Sequence, residues 1–183
     1  GHLGGLLTGA VVALGIALLW LSLTVQYNDH GNWTALFYTG AQSSIPPQLG
    51  NEDVFQVPGS PGYDGQYYHY IAHDPFFQRG IQKYVDNPQM RYRRILVPAL
   101  AYLLVAGNED YVDSLYFGVM LGFLALGAYW LSRFCISREK SPWVGLAFLA
   151  VPAVLVSLDR MTVDLALAAL TIGFVLYFER AEW

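Results

Sequence analysis

The chain has 183 residues, of which 55% are apolar and 13% charged, about half the charged share of a soluble domain. The apolar residues come in long runs, which points to a membrane protein. A net charge of −4 with no basic tract argues against a nucleic-acid partner, and a single cysteine, Cys135, rules out an intrachain disulfide.

Residues 3–25 carry no charge. At about 1.5 Å per residue such a run crosses a ~30 Å hydrocarbon core. A cleavable signal peptide would have a shorter apolar core, about 7–15 residues, and an Ala-x-Ala site. No such site follows, so a retained span is expected. The external loop, residues 26–94, opens with turn chemistry, SSIPPQLGNED and VPGSPG, and with an Asn32-Trp33-Thr34 sequon. After Pro61 it becomes aromatic. Residues 95–107 begin ILVPALAYLLVA, an apolar run of twelve, too short to span alone. Further spans are expected at about 112–135, 142–158 and 162–179, the third kinked by Pro152. The chain starts Gly-His-Leu and ends Glu-Trp directly after an apolar run. A longer parent, truncated at the C-terminus, is the expectation.

Charge decides how the short run lies. If residues 95–107 stay at the interface, Arg133, Arg138, Lys140 and Arg180 share the side of the N-terminus. Asn108-Glu109-Asp110 and Asp159 then share the side of the long loop, as the positive-inside rule asks. The predicted fold is all-α: one polytopic membrane helix bundle over 1–183, with a long external loop carrying a juxtamembrane helix.

The polar interest concentrates in YDGQYYHYIAHDPF, residues 63–76. Helical spacing groups Asp64, Tyr67, Tyr68 and Ile71 on one stripe and Gln66, His69, Tyr70 and His73 on another. Asp74-Pro75 ends the helix. Asp64 reads either as an N-cap or as a general base in apolar, aromatic surroundings. His69 and His73 have the i, i+4 spacing of a metal pair, with Asp74 available as a third ligand. Histidines so spaced are more often hydrogen-bonded groups, and no metal ligand is assigned. The tyrosines fit an interfacial belt or a sugar-stacking surface. Arg91, Arg93 and Arg94 suit lipid phosphates, either unspecifically or as a clamp on one headgroup. Arg160 and Asp164, four apart, are expected to pair beside Asp159.

The order of these elements resembles the C-type (GT-C) glycosyltransferases, integral membrane enzymes that use polyprenyl-phosphate-linked sugars. YDGQYYHYIAHDPF followed by YRRILVPALAYLL, with SLDRMTVDLALAAL later, is similar to bacterial relatives of the GPI mannosyltransferases. Tyr63 stands where those proteins often carry Trp. The resemblance implies an inverting hexosyltransferase of the bacterial cytoplasmic membrane, its site facing the periplasm or exterior. Asp64 would be the catalytic base. Tyr67, Tyr68, His69, His73, Arg93, Arg94, Asp159, Arg160 and Asp164 would bind substrate. The partners would be a polyprenyl-phosphate-linked sugar, a glycan or lipid acceptor and membrane lipids; no cofactor is expected, and a divalent metal is left open. A non-catalytic subunit that holds lipid-linked glycans for polymer assembly or transport is the alternative. A transporter ranks last, because the second and third spans have no central charge.

Overall fold

The structure is a computed structural model; it describes residues 2–179, with side chains from residue 7. Seven α-helices carry the fold: α1 (His2–Asn28), α2 (Asp64–His73), α3 (Pro88–Arg91), α4 (Leu96–Leu104), α5 (Val112–Ser137), α6 (Pro152–Arg160) and α7 (Asp164–Phe178). By length and apolarity two stretches can cross a membrane, Leu7–Asn28 and Glu109–Ser137. The 3-10 helix Pro142–Ala150 and α6 make a third only if taken together, because they are bent by 60°. That break is sharper than the kink expected of Pro152. The residue before a proline avoids the α region, and Val151 is extended (φ −69°, ψ 122°) with Pro152 opening α6. Helix α7, expected as a fourth span, has 15 residues, about 22 Å, and falls short of a hydrocarbon core. Helix α4 has nine residues and is also too short to cross alone.

Helix α5 is the hub, packing against α1, α4, α7 and Pro142–Ala150. Close approach comes from small residues, the usual device where helices pack without a hydrophobic driving force. Ala10, Ala13 and Ala17 of α1 are buried on one stripe with Leu21 and Val25. A Cβ at Gly127 would meet the Phe148 ring, and one at Gly145 would meet Ser132. The opposite face of α1 exposes Leu18, Leu19, Trp20 and Leu23, and α7 exposes Leu167, Leu170 and Phe174. Such an apolar exterior suits lipid or further protein.

The ends of the bundle are set by specific contacts. Gly9 of α1 lies near Ser132 and Pro142, and Arg138 pairs with Glu179. Helix α1 therefore runs antiparallel to α5, whereas α7 runs parallel to it, and Arg133, Arg138 and Lys140 lie at or beside one end. Arg180, counted with them above, lies outside the described residues. The opposite end carries the 26–94 segment, the start of α5 and the α6–α7 turn.

The long segment is ordered despite its turn-rich composition. Strands β1 (Thr39–Gly40) and β2 (Gln56–Val57) pair in parallel, Thr39 opposite Gln56. Asn32 caps the 3-10 helix Trp33–Phe37 and also donates to the Asp53 carbonyl oxygen at 2.8 Å, so the sequon side chain is engaged. Buried Gln66 ties α2 to this layer, accepting from Gly40 N–H and donating to the Pro61 carbonyl.

Helix α2 sits where it does because Gly65 has no side chain. A Cβ there would lie 1.9 Å from the Arg160 carbonyl oxygen and 2.8 Å from that of Phe37. Gly65→Ala must push backbone against backbone, and is expected to cost about 1–3 kcal/mol. Gly15→Ala meets nothing within 4 Å and serves as control. Thermal unfolding in detergent should show a lowered midpoint for Gly65→Ala and an unchanged or raised one for Gly15→Ala. Equal midpoints would contradict the close approach.

Candidate functional site

The site is built on α2, whose first residue is Asp64 and whose N-cap is Tyr63. Asp64 is thus one residue past the expected cap position and makes no cap. Its carboxylate faces Arg91: Nη1 lies 2.6 Å from Oδ2 and Nη2 donates to Oδ1 at 2.8 Å. The same guanidinium donates to Asp86 through Nε and Nη2, both at 3.0 Å. Arg91 is 5% exposed while Asp64 is 50% exposed, so the cation is the buried member and the carboxylate the solvent-facing one. Arg91 also lies over the rings of Tyr67, at 5.0 Å, and Tyr68, at 5.7 Å. Hydrogen bonding to Asp86 and then Asp64, against the cost of burial, holds Arg91 firmly in its charged form.

The expected stripes divide differently. Asp64 and Tyr67 stay accessible, but Tyr68 and Ile71 enter the core. Gln66, His69, Tyr70 and His73, expected as a polar stripe, are all buried. Tyr67 lines a shallow cleft of about 350 Å³ with Lys83, Tyr84 and Asp86, whereas Tyr68 offers no surface to a sugar.

Arg93 and Arg94 follow on the next turn. With Asp164 they form the polar rim of a groove of about 170 Å³ between α4 and α7, walled by Leu96, Val97, Val163, Ala166, Leu167 and Leu170. Arg94 reaches Asp164 at 3.3 Å. Arg93 is exposed and has no ion-pair partner among the described residues. The expected Arg160–Asp164 pair does not form. Met161 takes a left-handed conformation (φ 46°), which ends α6 and breaks the i, i+4 register. Arg160 instead pairs with Asp159 at 2.9 Å and stacks over Tyr38 at 4.1 Å. The turn between them is pinned by Tyr116, whose hydroxyl donates to the Met161 carbonyl at 2.8 Å. Ser157 bonds to Thr162 and accepts from Leu165 N–H.

A second, larger cleft of about 470 Å³ opens at the top of α1, lined by Trp20, Asp29, Tyr38, Phe55, Asp159 and Arg160 among others. Burial pushes the Asp29 carboxyl above its ordinary value; Arg160 pulls it back and Asp159 pushes it up. The cleft combines aromatic faces with carboxylates and a guanidinium, groups that stack on and hydrogen-bond to a polar ring compound.

His69 and His73 meet two carboxylates, Glu52 from the loop and Asp113 from the first turn of α5. Asp74, the third ligand expected from sequence, is turned away: it accepts from the backbone N–H groups of Gln78, Arg79 and Ile81. Phe37 stacks on the His69 ring, centroids 4.1 Å apart and planes at 5°. Burial alone would depress the His69 imidazole, but Asp113 and then Glu52 override it and push it up to about 9.

Sequence spacing did not reach Glu52, Asp113, Asp29 or Tyr38, and it grouped Arg91 with its neighbours rather than with Asp64. Each lies far along the chain from its partner, so no local pattern marks it. No known family model matches the chain, and no curated protein or solved structure is significantly similar to it.

The Arg91 bridge is testable. Arg91→Ala removes a buried cation with its stacking and is expected to cost about 2–3 kcal/mol. Arg91→Lys should recover only part, because an ammonium cannot fork onto two carboxylates. The Arg91 hydrogen bond, outweighing burial, holds the Asp86 carboxyl below its ordinary value of 3.8. A carboxyl depressed on folding stabilises the fold above that ordinary value, and the contribution is lost as pH falls through the lower, folded one. Denaturation followed against pH should therefore show a smaller acid-dependent loss in Arg91→Ala than in wild type. Parallel pH curves would contradict the bridge.

Proposed function

We propose that the chain belongs to a membrane glycosyltransferase that moves a sugar from a polyprenyl-phosphate donor to a cell-surface glycan or glycolipid. The observation that carries this is the groove between α4 and α7. Its walls are apolar, and its rim holds Arg93, unpaired among the described residues, beside the Arg94–Asp164 pair. An isoprenoid chain suits such walls, and a guanidinium fork matches phosphate oxygens. The acidic and aromatic cleft at the top of α1 suits the acceptor.

Both clefts lie at the end of the bundle opposite Arg133, Arg138 and Lys140. In this proposal the basic end faces the cytoplasm, by the positive-inside rule, and the clefts face the exterior. Helices α1 and α5, the bent pair and α7 then form a polytopic bundle, with α4 at the membrane surface.

The proposed reaction is a single displacement. Asp64 takes the proton from the acceptor hydroxyl, whose oxygen attacks the anomeric carbon. The anomeric carbon–oxygen bond to phosphate breaks, its electron pair leaves with the phosphate, and the configuration inverts. Arg93 and Arg94 meet the charge that develops on the leaving phosphate. Arg91 occupies one lone pair on each Asp64 oxygen, and a carboxylate keeps others for a substrate hydroxyl.

The engagement of Asp64 by Arg91 favours a second reading, in which the same surface holds a lipid-linked glycan without turning it over. Full-length protein in nanodiscs, given a radiolabelled polyprenyl-phosphate hexose and membrane acceptor, separates the two. The transferase predicts turnover in wild type and, in Asp64→Asn, a loss of about 10³-fold with donor binding retained. Arg93→Ala should weaken donor binding. Binding without turnover in wild type identifies the holding subunit, and wild-type turnover in Asp64→Asn removes Asp64 from the chemistry.

A further inference from the structure

Outside the proposed transfer site, one cluster of metal-ligating side chains is built from three separate segments. His69 Nε2 lies 3.0 Å from Asp113 Oδ1 and 3.4 Å from Glu52 Oε2. His73 Nε2 lies 3.4 Å from Glu52 Oε1 and 3.5 Å from Asp113 Oδ1. One ligand atom from each of the four residues falls within 4.8 Å of all the others. Zinc-class ions bind nitrogen and carboxylate oxygen at about 2.0–2.2 Å, so the edges of a tetrahedral site measure roughly 3.3–3.6 Å. Three of the four separations, 3.4, 3.4 and 3.5 Å, fall in that range, and the His69–Asp113 separation of 3.0 Å is shorter.

Ion pairing alone does not explain the arrangement. His69 and His73 are buried, 0% and 3% exposed. Yet Nε2 of both rings, Glu52 Oε2 and Asp113 Oδ1 have no hydrogen bond of acceptable geometry. Buried polar atoms are almost always satisfied. Four unsatisfied atoms thus come from four residues whose ligand atoms lie within 4.8 Å of one another. The i, i+4 spacing on α2 sets both imidazoles on one face, and the Phe37 stack fixes the plane of one of them. Imidazole with carboxylate suits zinc and its neighbours better than calcium or magnesium, which prefer all-oxygen shells.

We propose that Glu52, His69, His73 and Asp113 bind one divalent transition-metal ion of the zinc class. The ion ties the external loop and α2 to the head of α5. Its binding does not require that the protein transfer sugar. Neutral His69 and His73 and ionised Glu52 and Asp113 supply two nitrogens and two oxygens, a filled tetrahedron that fits a structural role.

The test uses full-length protein purified in detergent, stripped with chelator, dialysed and titrated with Zn²⁺ or Mn²⁺. One equivalent of Zn²⁺ should bind and raise the thermal midpoint, with Mn²⁺ binding more weakly. X-ray absorption should show two imidazole nitrogens and two oxygens at about 2.0–2.2 Å. Glu52→Gln, at a partly exposed position where folding is retained, and His73→Gln should each weaken Zn²⁺ by at least about 100-fold. Folded wild type that takes up no Zn²⁺ would overturn the proposal. So would unchanged affinity in both variants, which would locate the ion elsewhere.

Discussion

The placement of the polar layer depends on one steric constraint, the contact of the Gly65 backbone with the carbonyl oxygens of Arg160 and Phe37. No other residue type fits, since any Cβ would overlap the Arg160 oxygen. The contact presses the first turn of α2 against the α6–α7 turn. It thereby brings Asp64, from the middle of the long segment, beside residues nearly a hundred positions later. Tyr116 holds the same turn from the α5 side, through its bond to the Met161 carbonyl. A glycine on one element and a buried tyrosine on another thus fix the geometry of a layer that otherwise consists of loops and short helices.

Within that layer, charge is arranged by depth. Arg91 is the buried cation, and its two acidic partners face solvent. An arginine sunk among Tyr67 and Tyr68 keeps its charge because two carboxylates and two ring faces replace the water it has lost. Arg93, one turn on, is exposed. The three neighbouring arginines therefore have different environments: Arg91 is buried between two carboxylates, Arg94 is paired with Asp164, and Arg93 has no ion-pair partner among the described residues. In the proposed transferase this division keeps Asp64 oriented while leaving a guanidinium for the phosphate.

Much of this was legible in the sequence, and the rest was not for definite reasons. The uncharged runs foretold α1 and α5, and the aromatic run with its Asp-Pro stop foretold α2 almost to the residue, Asp64–His73. The twelve-residue apolar run at 95–106 folds as the nine-residue α4. The α6–α7 pairing failed because an i, i+4 rule holds only if the helix continues, and Met161 turns left-handed between the partners. The Pro152 break came out larger than a kink for a similar local reason, the extended Val151. The Glu52–His69–His73–Asp113 cluster was half visible. The histidine spacing is a helix property, but the two carboxylates arrive from distant segments through tertiary packing. Asp74, the nearest acid in sequence, was instead taken by backbone N–H groups after the helix end.

The central claim is that this polar layer faces one side of a membrane and the basic end of the bundle the other. It is most directly tested with single cysteines in the full-length Cys135→Ser protein, labelled by a membrane-impermeant maleimide in intact cells. Cysteine at Ser43, beside the Tyr67 cleft, should label from outside. Cysteine at Lys140, past the far end of α5, should label only after the cells are permeabilised. Equal labelling of both positions in intact cells would contradict the account.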